Sequence, residues 1–165
     1  MSFAYYRLPY ADSYTVVRSD AKDKLLSNHE QIGHDEGFVV APFTNEFFTP
    51  MVLIRPDSVE RLALPAGDCN GSNGNQQPSA MSEVYESTFH CFHDAISHGQ
   101  FMKLVLSLSK EVALATTDYE SLFFEACRRY PRLMVMLVST KITGTWLVAS
   151  PEILLMGDGT GWRTM

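Results

Sequence analysis

The apolar runs of this chain are short, and proline, glycine or aspartate stops them. "EGFVVAPF" (36–43) and "PMVLIRPD" (50–57) show the pattern: a few β-branched or aliphatic residues, then a residue that continues neither a helix nor a central strand. Runs such as "MVLI" and "RLMVMLV" suit single strands and fall far short of the roughly 20 apolar residues of a helical membrane span. A chain built this way satisfies its backbone by pairing short strands, so sheet is the first expectation. Residues 3–17, "FAYYRLPYADSYTVV", are aromatic and β-branched and predict two further short strands, separated by Pro9 and "ADS".

A different composition interrupts this pattern. "PAGDCNGSNGNQQPSA" (65–80) is rich in Gly, Asn, Ser and Gln and nearly free of apolar side chains, which predicts a flexible loop or linker. It separates an N-terminal portion, 1–64, from a second portion, 81–165. The second portion opens on a helix. Met81, Tyr85, Thr88, Phe89, Phe92 and Ile96 recur at steps of three and four, and Gly99 supplies the stop. "FMKLVLSLSKEVALA" (101–115) alternates, with Lys103, Val105 and Ser107 on one face and Leu104, Leu106 and Leu108 on the other, which predicts a strand. A second helix is expected over about 118–130, opened by a capping box of Thr117 and Glu120 and halted by Pro131. Leu122, Phe123 and Ala126 form its apolar side, and Arg128 and Arg129 suit its negative end. Strands "RLMVMLVST" (132–140) and "TWLVAS" (145–150) follow; "EILLMG" extends the second, "DGTG" turns, and "WRTM" begins another. No internal repeat is visible. The order implies an α+β fold of mixed or antiparallel sheets with helices packed on the outside.

The 165 residues suffice for one domain with a real core, and 45% hydrophobic, 12% aromatic and 19% charged residues are ordinary for a globular protein. Thirteen basic against 19 acidic residues leave a net charge of −6 with no offsetting Lys/Arg cluster, which does not fit a nucleic-acid partner. No segment predicts membrane insertion, and "MSFAYYRLPYADSY" lacks the basic start and apolar stretch of a secretory signal. Cys69, Cys91 and Cys127 are odd in number and lack CxxC spacing, which predicts reduced thiols in a cytoplasmic protein.

Two ionisable residues sit inside apolar, strand-like segments: Lys103 in "MKLVLS" and Glu152 in "VASPEILL". Burial disfavours the charged form of either, which suits a buried lysine to act as a base and a buried glutamate as an acid. Pattern alone favours the plainer alternative, in which each points to solvent from a half-exposed strand. His90, His93 and His98 give H-x2-H-x4-H, and a spacing of three sets His90 and His93 on one helical face as a metal pair requires. That face also carries Glu83 and Glu86 and offers no fourth ligand, so a solvated face is the better account. "GDGTG" (157–161) lacks the G-x-x-x-x-G-K-[ST] pattern and predicts a hairpin turn. Ser107, Ser109 and Ser150 lie outside any G-x-S-x-G context.

"FMKLVLSLSKEV", "LFFEACRRYP" and "TWLVASPEILL" resemble, in order and spacing, the opening motifs of the chorismate-utilising enzymes. These include isochorismate, salicylate, anthranilate and aminodeoxychorismate synthases. The family pattern is a "K-V-V-L-S-R" strand, an "L-F-x-x-L-x-x-x-N-P" helix and a "G-[AS]-S-P-E-x-L" strand. The resemblance spans about 80–165; the N-terminal portion is similar, more weakly, to the variable front of an isochorismate synthase. It implies that Lys103 is the base that activates water for attack at C2 of chorismate. Glu152, 49 positions later, would be the acid that protonates the departing C4 hydroxyl from across a shared cleft. A lysine at 103 suits the water-using members and aminodeoxychorismate synthases, so isochorismate synthase is the first expectation, serving menaquinone or siderophore formation.

The sequence departs from the pattern at Leu108, where arginine is usual, at Tyr130, where asparagine is usual, and at Val148, where glycine is usual. The resemblance also implies a Mg2+ ion, held by glutamates of later segments, and Arg and Lys that grip the substrate carboxylates. None of those segments occurs here. The expectation is therefore the front part of a longer enzyme with an incomplete chorismate-binding fold, inactive alone. The alternatives are another chorismate-utilising synthase, or a non-catalytic interaction domain that forms homo-oligomers through an exposed sheet edge at "WRTM".

Overall fold

A computed structural model describes the chain except residues 34, 43–49, 67–80, 115–116, 153–155, 158 and 164–165, and the side chains of 81, 82 and 156. Most of the expected loop 65–80 and part of "EILLMG" lie outside the described residues. The chain divides into two compact units, one of Met1–Cys69 with Asp118–Met165 and one of Asn70–Thr117. Its described elements are two α-helices and antiparallel sheets, an α+β composition as expected.

The first unit is built on a five-stranded antiparallel sheet. In chain order its strands are β1 (Ser2–Arg7), β2 (Ser13–Ser19), β6 (Ser58–Ala63), β7 (Met134–Thr140) and β8 (Gly144–Ser150); in space the order is β6-β2-β1-β7-β8. β1 lies in the middle, pairing Phe3 with Arg18 on one side and with Ser139 on the other. Residues 2–7 and 134–140 thus share one ladder, so the sheet draws on both sequence portions. Period-two alternation then sorts the side chains onto two faces.

One face receives helix α2 (Tyr119–Arg129). Tyr5, Tyr14, Val16, Val135 and Leu137 of the sheet bury against Phe123 and Cys127 of the helix. The rings meet mostly edge-on: Tyr5 and Phe123 at 5.8 Å between centroids, Tyr14 and Phe124 at 5.2 Å, the geometry that aromatic quadrupoles favour. Asp118, not the expected Thr117, caps this helix: its carboxylate accepts from the Ser121 amide at 3.1 Å and the Ser121 hydroxyl at 2.7 Å. Asp118 prevails because a carboxylate at the N-terminus meets both the free amides and the positive end of the helix dipole. The same bonds from Ser121 hold its pKa below the ordinary carboxylate value.

The opposite face packs Ala4, Val17 and Val138 against Ile54, with Phe38 and Val40 partly buried beside them. Ile54 belongs to a second antiparallel sheet of order β3-β5-β4, made of β3 (Lys24–Leu26), β4 (Phe38–Val40) and β5 (Met51–Ile54). Its middle strand buries Val52, Leu53 and Ile54 completely. Asp35 accepts from Lys24 at 2.7 Å and Arg55 at 3.0 Å, tying the approach to β4 to its neighbours. Gly37 (φ 155°) lies where a Cβ would collide with the Ile54 carbonyl, so only glycine fits there.

Between β7 and β8 the Thr140 hydroxyl accepts from the amides of Ile142 and Thr143 at 3.1 and 2.9 Å, closing the turn. Gly144 (φ 72°) then takes the left-handed conformation that starts β8. The strand expected from "WRTM" is β10 (Trp162–Arg163), and it pairs antiparallel with β9 (Met156–Gly157). Among the described strands, uncharged β8 and charge-bearing β6 are the edges of the large sheet.

The second unit contains α1 (Met81–Ser97), which ends at a turn with Gly99 in the left-handed region (φ 71°). Residues 101–114 form no strand, which corrects the expectation for "FMKLVLSLSKEVALA". The alternation is partly present, since Leu104 and Leu106 are half-buried and Lys103, Val105 and Ser107 are exposed. Alternation fixes which side chains share a face, but a strand also needs a neighbour to complete its ladder. No described strand pairs with 101–114.

Candidate functional site

Lys103 lies on the irregular stretch that follows α1, and it is exposed. Glu152 lies two residues beyond β8 and is also exposed; its amide donates to the Ser150 hydroxyl at 3.2 Å. The "SPE" stretch thus leaves the end of β8, which its register with β7 (Met134 opposite Ser150) sets firmly. Lys103 belongs to the second unit and Glu152 to the first. Neither takes part in an ion pair among the described residues.

The histidines behave as a solvated helix face. His93 Nδ1 is 3.4 Å from the Ser97 hydroxyl and 3.8 Å from the Asp94 carboxylate, while His98 Nδ1 bonds the Asp94 carbonyl at 2.7 Å. Among the described residues, no three or more His, Cys, Asp or Glu side chains converge as metal ligands would. Cys91 is exposed and Cys127 buried, both as free thiols, and burial raises the Cys127 pKa.

Two features of the first unit escaped the sequence reading. Arg7 is only 1% exposed, and its guanidinium donates to the carbonyls of Pro131 (2.6 Å), Tyr130 (2.7 Å), Leu8 (3.2 Å) and Cys127 (3.4 Å). The cation sits against the carbonyl end of α2, where the dipole is negative. The signal was present in "FAYYRLP": period two sets Arg7 on the same face as Phe3 and Tyr5, and so under the helix.

The other feature is a cavity of about 600 Å³ between β4 and the β7–β8 hairpin. Phe38 and Val40 form one wall; Met136, Val138, Trp146 and Val148 form the other. Register explains the second wall, since Met136 pairs with Val148 and Val138 with Trp146, placing all four on one face. Trp146 Nε1 donates to the Thr143 carbonyl at 2.6 Å, which holds the indole at the rim. No described residue that lines the cavity carries a charge. Among the described residues, no helix is long and apolar enough to cross a membrane.

No protein-family model, curated protein or solved structure matches the chain.

Proposed function

We propose that this chain is the front part of an enzyme that converts chorismate to isochorismate, with Lys103 as base and Glu152 as acid. The observation that carries the reading is the ordered trio "FMKLVLSLSKEV", "LFFEACRRYP" and "TWLVASPEILL". Both side chains are exposed, so support for the reading comes from the order and spacing of these motifs and not from burial of the pair.

In this scheme Lys103 accepts a proton from water as the water oxygen bonds to C2 of the ring. The double bonds shift, the C4–O bond breaks, and Glu152 delivers a proton to the departing hydroxyl. One water enters and one leaves, so the product is an isomer of the substrate. Proton transfer of this kind contributes about 10²–10⁴-fold each for acid and base. A lysine serves as base only as the neutral amine, which low polarity or nearby positive charge favours. Magnesium belongs to the reading as the cofactor of the longer enzyme, and no step here runs through it.

The 165-residue chain is expected to show no turnover of chorismate with magnesium present, measured by product chromatography. The longer protein containing it is expected to turn chorismate over and to lose at least about 100-fold in kcat with either Lys103→Ala or Glu152→Gln. Normal kcat in both variants would overturn the assignment.

A further inference from the structure

We propose that the cavity between β4 and the β7–β8 hairpin binds an uncharged aromatic compound. Its volume, about 600 Å³, falls within the range of pockets that hold small organic ligands. The space is a half-open cleft, and its described lining is mostly apolar.

The lining selects the chemistry. Phe38 and Val40 face Met136, Val138 and Val148 across the cavity, and no described lining residue is ionisable. Among the described lining residues no cation replaces the hydration that an anion would give up, which disfavours a dicarboxylate such as chorismate. A flat ring compound loses nothing of the kind and gains contact with aromatic and aliphatic walls. The rim is already arranged for it. Trp146 is 58% exposed, an unusual state for an indole, yet its Nε1–H is held by the Thr143 carbonyl at 2.6 Å. Phe38 is likewise fixed, with its ring 5.9 Å from that of Tyr6. Walls fixed before the ligand arrives lower the ordering cost of binding.

The test is titration of the full chain with N-phenyl-1-naphthylamine, an uncharged fluorescent aromatic. The expected result is saturable one-to-one binding with Kd on the order of 10 µM. In a Trp162→Phe background the single remaining indole N–H resonance, that of Trp146, should shift on binding. Val148→Trp, which fills the cavity, and Ile142→Arg, which sets a charge at the exposed rim, should each weaken binding at least tenfold. The second variant alters an exposed position (Ile142 is 45% exposed), so it remains informative if the first fails to fold. 1-Naphthoate should bind at least tenfold more weakly than 1-naphthol. Non-saturable binding, unchanged affinity in Ile142→Arg, or equal affinity for naphthoate and naphthol would each overturn the proposal. These outcomes do not depend on chorismate turnover.

Discussion

Arg7 shows how one side chain can join segments distant in sequence. Its planar fork reaches the carbonyls of Tyr130 and Pro131, more than 120 positions away, and ties β1 to the end of α2. Each of those carbonyls also accepts a backbone amide, from Leu133 and Tyr10 respectively, so loss of Arg7 would not leave them bare. What would be lost is a set of charge-assisted bonds, and Arg7→Met should therefore destabilise by about 1–3 kcal/mol, read as a lower urea midpoint. Arg7→Lys should recover only part, because one ammonium cannot span the same acceptors. Asp35 makes a pH-dependent contribution. Hydrogen bonds from Lys24 and then Arg55 hold its folded pKa below the ordinary carboxylate value. Its stabilisation is therefore present above the unfolded-state value, near 3.8, and is lost as pH falls through the lower folded value. Asp35→Asn should reduce the stability difference between pH 7 and pH 3, measured by chemical denaturation at both.

At the scale of elements, helix α2 was legible because three signals agreed: an apolar stripe, basic residues in the last turn and a terminal proline. Phe123 is its anchor, fully buried among Tyr5, Tyr14 and Phe124. Phe123→Ala should cost about 3–5 kcal/mol, seen as a fall in Tm with near-native far-ultraviolet dichroism in the folded baseline. Strands β1, β2, β4, β5, β7 and β8 were legible for a similar reason, since aromatic and β-branched runs were bounded by breakers. Strand β6, "SVERLA", was not read as a strand, because an exposed edge tolerates the charges of Glu60 and Arg61 that interrupt an apolar pattern. The segment 101–114 failed in the opposite direction: it has strand alternation but no described neighbour to pair with. Lys103 and Glu152 stood out as charges within apolar runs, and both are exposed, the plainer reading that the pattern alone favours. The cavity was invisible for a deeper reason. It depends on the register of β7 with β8 and on the packing of one sheet on another, and no local window of sequence contains either.

Over the whole molecule, the large sheet gathers strands from both ends of the chain and leaves 70–117 as a separate unit. Amide protection should follow that division. Hydrogen exchange is expected to be slowest in β1 and β7, each flanked by strands on both sides, and fastest in 101–114, which has no ladder bonds. Comparable protection in 101–114 and β1 would contradict this order. The central place of β1 also shapes the birth of the protein. Phe3 finds Ser139 only after some 136 further residues have been made, and at about 5–20 residues per second that delay is on the order of ten seconds. Through that interval the nascent hairpin of β1 and β2 emerges with one flank uncovered, an opening for chaperones or for a neighbouring ribosome's product.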